Sequence, residues 1–409
     1  MIRDGQLRIA MLSAHSCPIG KLGAKDTGGM SVYVLELARE LGKCGHLVDI
    51  YTRVHDPKDK RIYELGHNVR LIHLKAGRNG EMHKLAVYPH LPDFADKLEN
   101  FRKRNRLKYD LVYSHYWLSA WVGRFLQGWW DVPHIIMFHT LGAIKNAIGI
   151  GEAEPELRIE TERYLVKNCH RVIAATGKEK EDLILHYGAL PETISVIPCG
   201  VNLELFQPVD REAARQQLGL NGNKNILFVG RLEPLKGIDR LLMAMTYLEN
   251  REGTRLLVIG GDGNSQYEIE RLQRLSRELH IQDSVIFLGL IKQEKLPLYY
   301  SAADVCVVPS YYESFGLVAL ESLACGTPVV ATDVGSAKRV IRQGETGYVV
   351  ADNFPYRLAQ KISLLLSKPE IGAESIGLMR ASVARFSWSR IAERMVRECR
   401  RVQADYFTQ

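Results

Sequence analysis

The chain has 409 residues, more than a single hydrophobic core of ordinary size organises, so two domains are expected. Its 46% hydrophobic content suits globular cores, and a net charge of +7, spread along the chain, favours anionic ligands without marking a nucleic-acid partner. There is no zinc-finger spacing, RNA-recognition signature or concentrated basic tail, no apolar run reaches membrane-spanning length, and the seven scattered cysteines read as reduced core residues of a cytoplasmic protein.

Met1-Ile2-Arg3-Asp4 leads straight into an apolar strand over 7–12, without a signal-peptide layout. Next, Asp26-Thr27-Gly28-Gly29-Met30-Ser31 precedes an amphipathic helix over 32–43. The paired glycines would let another molecule approach the backbone while the helix start faces an anion; a plain loop fits the same residues. Short strands at 48–52, 69–74, 111–114, 134–138, 171–175 and 194–197 alternate with helical patterns, which indicates parallel sheet with crossover helices. The basic run Arg102-Lys103-Arg104-Asn105-Arg106-Leu107-Lys108 has one aromatic neighbour, Phe101, and reads as a solvated helix end, so membrane association is not expected. His139 follows the strand 134–138, where a structural or a cleft-edge histidine would both fit.

Turn residues cluster from Pro198-Cys199-Gly200-Val201-Asn202 to Pro208, so the hinge is expected there, between domains over 1–200 and 201–386, with a closing helix in 387–409. A second strand series runs through 226–229, 256–259, 285–288, 305–308, 329–331 and 348–350. The predicted fold class is α/β: two doubly wound, Rossmann-like domains facing a central cleft, with ligands outside the strand carboxyl ends.

After strand 226–229 comes Gly230-Arg231-Leu232-Glu233-Pro234-Leu235-Lys236-Gly237. The planar fork of Arg231 and the compact charge of Lys236 can together neutralise a diphosphate without a metal ion, although solvated loop cations would look alike. Gly260-Gly261-Asp262-Gly263 lacks dinucleotide-binding spacing and no P-loop is present, so neither a nicotinamide enzyme nor a nucleotide hydrolase is expected. After strand 305–308 comes Glu313-Ser314-Phe315-Gly316-Leu317-Val318-Ala319-Leu320-Glu321, closed by Cys325-Gly326-Thr327-Pro328. Backbone N–H groups of Gly316, Leu317 and Val318 can hold phosphate oxygens at a helix start. Glu321 lies about two turns along that helix, so the two carboxylates can address separate parts of one extended ligand. An ordinary helix start with a surface carboxylate fits as well.

On these motifs the chain resembles, over nearly its whole length, the retaining GT-B glycosyltransferases of family 4. The resemblance implies that Arg231 and Lys236 bind the donor diphosphate, Glu313 contacts the donor sugar and Glu321 holds ribose hydroxyls. Backbone amides at Phe315, Gly316 and Leu317 would complete the cradle, and the base, by implication uridine, would lie near Leu290; the paired glycines Gly28 and Gly29, read physically, can face the diphosphate from the opposite wall. His139 would lie beside the reacting sugar, which makes His139, Arg231, Lys236 and Glu313 the implied catalytic set. The last helix would cross back onto the first domain. No metal and no cofactor beyond the nucleotide-sugar co-substrate is implied.

Ser114-His115-Tyr116-Trp117-Leu118-Ser119, His139-Thr140-Leu141 and Gly28-Gly29-Met30 look like the corresponding runs of the inositol-phosphate N-acetylglucosaminyltransferases of mycothiol synthesis. That resemblance implies a phosphorylated small acceptor held by Lys84, Tyr116, Thr140 and Arg158, with His15 and Ser31 near its ring. Ser31 replaces the family's asparagine, and Gly335-Ser336-Ala337-Lys338 departs from the usual Gly-Gly stretch. Sucrose-phosphate synthases share the architecture but typically have glutamine where this chain has Met30, so fructose 6-phosphate stays open as acceptor, as does the choice between glucose and N-acetylglucosamine. A lipid-linked acceptor and a sugar-nucleotide sensor are the contrasting readings; the intact reacting-centre residues speak against the sensor. Relatives are often dimers, which leaves a homodimer open. The expected reaction transfers a hexosyl or N-acetylhexosaminyl group with retention of configuration through an oxocarbenium-like transition state.

Overall fold

The computed structural model describes residues 5–20, 27–78, 80, 82–220, 222–249, 252–261, 265–368 and 371–408. Met1 to Asp4, Asp26, Asp262 and Gly263, which belong to stretches read above, lie outside the described residues.

The first sheet contains β1 (Arg8–Leu12), β2 (Leu47–Arg53), β3 (Ile62–Gly66), β4 (Val69–Leu74), β5 (Leu111–His115), β6 (His134–Met137), β7 (Arg171–Ala174) and β8 (Ile194–Val196). Its order is β3-β4-β2-β1-β5-β6-β7-β8. The second contains β9 (Lys224–Val229), β10 (Thr254–Ile259), β11 (Val285–Gly289), β12 (Val305–Val308), β13 (Val329–Thr332) and β14 (Gly347–Val350), in the order β11-β10-β9-β12-β13-β14. Central strands such as β1 and β12 are buried on both faces, which is why they read as continuous apolar runs. These are the expected Rossmann-like sheets, with strand ends shifted by a residue or two.

The strand β3 was not anticipated. It pairs antiparallel with β4 at the sheet edge, and its residues alternate between exposed and half-buried, so Ile62-Tyr63-Glu64-Leu65-Gly66 carries too little apolar signal to stand out.

The chain crosses between the sheets twice, side by side. Val201 N–H donates to Phe386 O at 2.8 Å, and Val201 bridges Ser387 in parallel. The helix Trp388–Phe407 then returns to the first sheet. The Trp388 and Tyr33 ring centroids lie 5.4 Å apart, and Glu398 meets Arg171 at 2.8 Å while accepting from Ser195 at 2.7 Å. Cys199, Val201, Phe206, Phe386 and Trp388 share one apolar cluster with both sheets. Among the described residues no helix is long and apolar enough to cross a membrane.

Strand order reverses between β1 and β5 in the first sheet and between β9 and β12 in the second. In open α/β sheets, ligands bind beyond the carboxyl ends at such reversals. His15, Tyr116, Arg231 and Glu313 all follow those four strands.

Candidate active site

A cavity of 660 Å³ lies between the two sheets' carboxyl ends. Its walls include His15, Gly28, Gly29, Lys84, Tyr116, His139 and Thr140 from the first half and Arg231, Lys236, Leu290, Glu313, Phe315, Gly316, Leu317, Val318 and Glu321 from the second. The halves approach closely: a Cβ placed on Gly28 would stand 3.6 Å from Arg231 Nε, and one on Gly29 would stand 3.5 Å from Leu317 Cδ1.

On the second-domain wall, Lys236 Nζ donates to Glu313 Oε1 at 2.7 Å, and Ser310 Oγ donates to the same oxygen at 2.8 Å. Arg231 pairs with Glu233 at 2.6 Å. Gly316 caps the helix Leu317–Ala324 in the left-handed region, at φ +96°, and apart from its own stretch of chain no atom of the described residues lies within 4 Å of where its Cβ would be. A glycine is thus demanded by the backbone, and its missing side chain leaves the helix's first N–H groups accessible from the cavity. Ser336 holds the turn from behind, donating through N and Oγ to Phe315 O at 2.8 and 2.7 Å. Glu321 accepts from Tyr300 Oη at 2.8 Å, and burial raises its carboxyl to about 7 despite that hydrogen bond.

The first-domain wall is cationic around one carboxylate. Glu154 accepts from Lys84 Nζ at 3.0 and 3.2 Å, from Lys145 Nζ, and meets Arg158 Nη1 at 3.0 Å. Burial opposes its ionisation, but Arg158, Lys145 and Lys84 outweigh that and hold the carboxyl at about 2. Arg158 also donates to Glu162 at 2.7 Å and to Thr140 O and Oγ1 at 2.7 and 3.0 Å, and stacks 4.7 Å over the Tyr116 ring. The His15 ring centroid lies 4.4 Å from that of Tyr116. Burial, followed by His55, Lys84 and Arg158, lowers His15 to about 3, so the ring is neutral.

Two residues expected at the acceptor lie off the cavity lining. Ser31 does not line the cavity: it is wholly buried and its hydroxyl pairs with Ser16 Oγ at 2.8 Å. Arg158 is 1% exposed and stands behind the lining, with Nε and Nη2 donating to Glu162 and Thr140 and Nη1 3.0 Å from Glu154 Oε2.

His139 and Tyr116 share a backbone peculiarity. Both have positive φ, +62° and +73°, His139 two residues beyond β6 and Tyr116 one beyond β5. Non-glycine residues held there store on the order of 1–3 kcal/mol, and such strain concentrates at ligand sites. His139 Nε2 lies 2.9 Å from His115 Nδ1, and burial lowers the His139 ring to about 3.

Sequence reasoning missed Lys145, Glu154, His115, Tyr300 and Tyr312. Glu154, Arg158 and Glu162 are spaced i, i+4, a charge pattern that was there to be read. His115 and Tyr300 leave no such trace, since each matters through a contact distant in sequence. Tyr312, on the β12 loop, meets the backbone of Leu141 across the cavity.

Residues 27–205 match the family described as Glycosyltransferase Family 4, and residues 210–376 match Glycosyl transferases group 1. The chain is 37% identical over 402 residues to a D-inositol 3-phosphate glycosyltransferase of Corynebacterium diphtheriae, covering 95% of this chain and 93% of that one. It is 40% identical over 395 residues to D-inositol 3-phosphate glycosyltransferase 2 of Catenulispora acidiphila, covering 94% and 92%. Among solved structures, sucrose-phosphate synthase from Thermosynechococcus elongatus superposes with a TM-score of 0.90 at 35% identity, over 98% of this chain and 100% of the other. Anabaena HepE, solved with UDP and glucose, shares the fold at 19% identity and a TM-score of 0.75, over 96% and 99%. The chain belongs to the family 4 glycosyltransferases of the GT-B fold, enzymes that transfer a sugar from a nucleotide donor.

Proposed function

We propose that this glycosyltransferase moves a glucosyl or N-acetylglucosaminyl group from a uridine diphosphate sugar to inositol phosphate, with retention at the anomeric carbon. The observation that carries the acceptor class is the gathering of Lys84, Lys145 and Arg158 around the Glu154 carboxylate, at one end of a cavity whose other end holds Arg231 and Lys236. A phosphomonoester offers the same kind of charged oxygens as that carboxylate. Lys84, Tyr116 and Thr140 are its proposed direct partners, with His15 beside the acceptor ring.

The diphosphate is assigned to Arg231, Lys236 and the N–H groups of Gly316, Leu317 and Val318, the sugar to Glu313 and His139, and the ribose to Glu321. As the acceptor oxygen bonds to the anomeric carbon, the bond from that carbon to the phosphate oxygen breaks. Its electron pair goes to the phosphate, and the acceptor proton passes to a phosphate oxygen on the same face. Charge growing on the leaving diphosphate meets fixed cations and N–H dipoles, the arrangement that stabilises such a transition state without reorganisation. We assign domain limits at 1–200 and 201–386, with 387–409 as a returning helix, and a cytoplasmic setting, which suits the unpaired state of all seven cysteines.

Transfer of glucose to fructose 6-phosphate is the second reading, favoured by the 0.90 TM-score with a sucrose-phosphate synthase. Mass-spectrometric product detection decides between them, with UDP-glucose and UDP-N-acetylglucosamine offered against inositol phosphate, fructose 6-phosphate and their dephosphorylated forms. A glycosylated inositol phosphate is expected. Product only from fructose 6-phosphate would favour the second reading, and product from neither would overturn the acceptor assignment.

A further inference from the structure

We infer that His115 is a positioning residue that fixes the proton of His139 on Nδ1, so that His139 presents an N–H donor to the reacting sugar. This rests on the proposed placement of His139 beside that sugar, but the proton's location is measurable independently of turnover.

The contact between the rings is 2.9 Å, from His115 Nδ1 to His139 Nε2. Only two neutral arrangements satisfy it. In one, His139 Nε2–H donates to His115 Nδ1, which puts the His115 proton on its own Nε2. That atom is buried and has no hydrogen-bond partner among the described residues. An enclosed N–H without an acceptor forfeits a hydrogen bond to water, at a cost of about 1–3 kcal/mol. In the other, His115 Nδ1–H donates to His139 Nε2, and the unpartnered Nε2 of His115 keeps only a lone pair. Unsatisfied buried acceptors are tolerated better than unsatisfied buried donors. The second arrangement therefore wins.

The surroundings do not supply a proton to blur this choice. His115 is wholly buried, with the Tyr113 ring at 4.3 Å and the Tyr33 ring at 5.5 Å, and Tyr33 also lies 5.2 Å from His139. Tyr33 Oη and Tyr113 Oη bond each other at 2.9 Å. Burial keeps both imidazoles neutral. With Nε2 of His139 occupied by His115, Nδ1 is the nitrogen left for a ligand, and His139 is the member of the pair that lines the cavity. The positive φ of His139 is consistent with a ring held between two demands, one below and one in the cleft.

The test labels histidine with 15N and reads the His139 ring by long-range 1H–15N correlation, its signals identified by their loss in His139→Gln. A pyrrole-type Nδ1 and a pyridine-type Nε2 are expected; the reverse pattern overturns the inference. Two variants read the consequence. His115→Asn keeps an N–H donor near the position of Nδ1, so the His139 pattern and most of kcat should survive. His115→Phe removes the donor, so the Nδ1 preference should disappear and kcat should fall about tenfold to a hundredfold with donor KM little changed. A Phe variant with native kcat, or an Asn variant as impaired as Phe, would overturn it. Absence of sugar transfer by the native protein, together with the expected nitrogen pattern, would instead count against the assigned function alone.

Discussion

Lys236 Nζ stands 2.7 Å from Glu313 Oε1, although the two residues are 77 positions apart in the chain. They meet because β9 and β12 are neighbours in the second sheet, and each loop leaves the carboxyl end of its strand at the point where strand order reverses. A cation assigned to phosphate and a carboxylate assigned to sugar are thus held as one unit. Lys236→Ala should lower kcat/KM by about a hundredfold to a thousandfold, the loss usual when one preorganised charge is removed. Glu313→Ala should be similarly damaging, and the double variant should fall well short of the product of the two losses, since each residue orients the other. Steady-state kinetics of the four proteins checks this.

Glu321 titrates where it can be observed. Burial raises its carboxyl from 4.5 to about 7 in the unliganded protein. Because the folded value is raised, its contribution to stability is full below about 4.5 and is lost as pH rises through about 7. Ribose hydroxyls donating to this group would favour its ionised form, so binding UDP-glucose, whose diphosphate carries no group titrating in this range, should release close to one proton at about pH 6 and almost none above about pH 8. Titration calorimetry in buffers of different ionisation enthalpy measures the release, and Glu321→Gln should abolish it.

Several histidines act in the opposite sense. Burial holds His15, His134 and His139 at about 3 and His55 at about 4, all below their ordinary 6.5. For a depressed folded value, stability is present above 6.5 and is lost as pH falls towards the folded value. Glu321 and Glu179, both raised to about 7, gain over part of the same range and offset some of the loss. Each net proton taken up on unfolding removes about 1.4 kcal/mol per pH unit. The urea midpoint should therefore fall steadily from about pH 6.5 to pH 5, with the histidines outweighing the two carboxyls.

Much of this site could be read from residue order, and the parts that could not share a cause. Strand-end loops announce themselves through glycine and charge, so Arg231, Lys236, Glu313, Gly316 and Glu321 were legible, as were the buried strands that carry them. The depth of a side chain is not legible. Ser31 and Arg158 have the right chemistry at the right positions, yet Ser16 and the pair Glu154 and Glu162 hold them behind the wall. Partners distant in sequence are equally silent: nothing near Glu321 points to Tyr300, and nothing near His139 points to His115. The strand β3 was invisible because an edge strand with exposed alternate residues has no apolar run to show.

Gly335 tests the support of the phosphate turn. Its φ is +57°, and a Cβ there would lie 2.6 Å from Phe315 O and 3.0 Å from Glu313 Cβ. Gly335→Ala should cost about 1–3 kcal/mol of stability through backbone strain, and raise donor KM by displacing the Phe315 carbonyl that Ser336 holds. Thermal unfolding and donor kinetics on the same variant check both.

The central claim is that the acceptor's phosphate is what the first-domain wall recognises. The most direct measurement is the ratio of kcat/KM for inositol phosphate to that for inositol, in the native protein and in Lys84→Gln. Recognition by this wall predicts a strong native preference for the phosphorylated acceptor, reduced about tenfold or more when Lys84 loses its charge, in keeping with a charge-assisted hydrogen bond worth about 1.5–3 kcal/mol. Equal use of both acceptors by the native protein, or an unchanged ratio in Lys84→Gln, would contradict it.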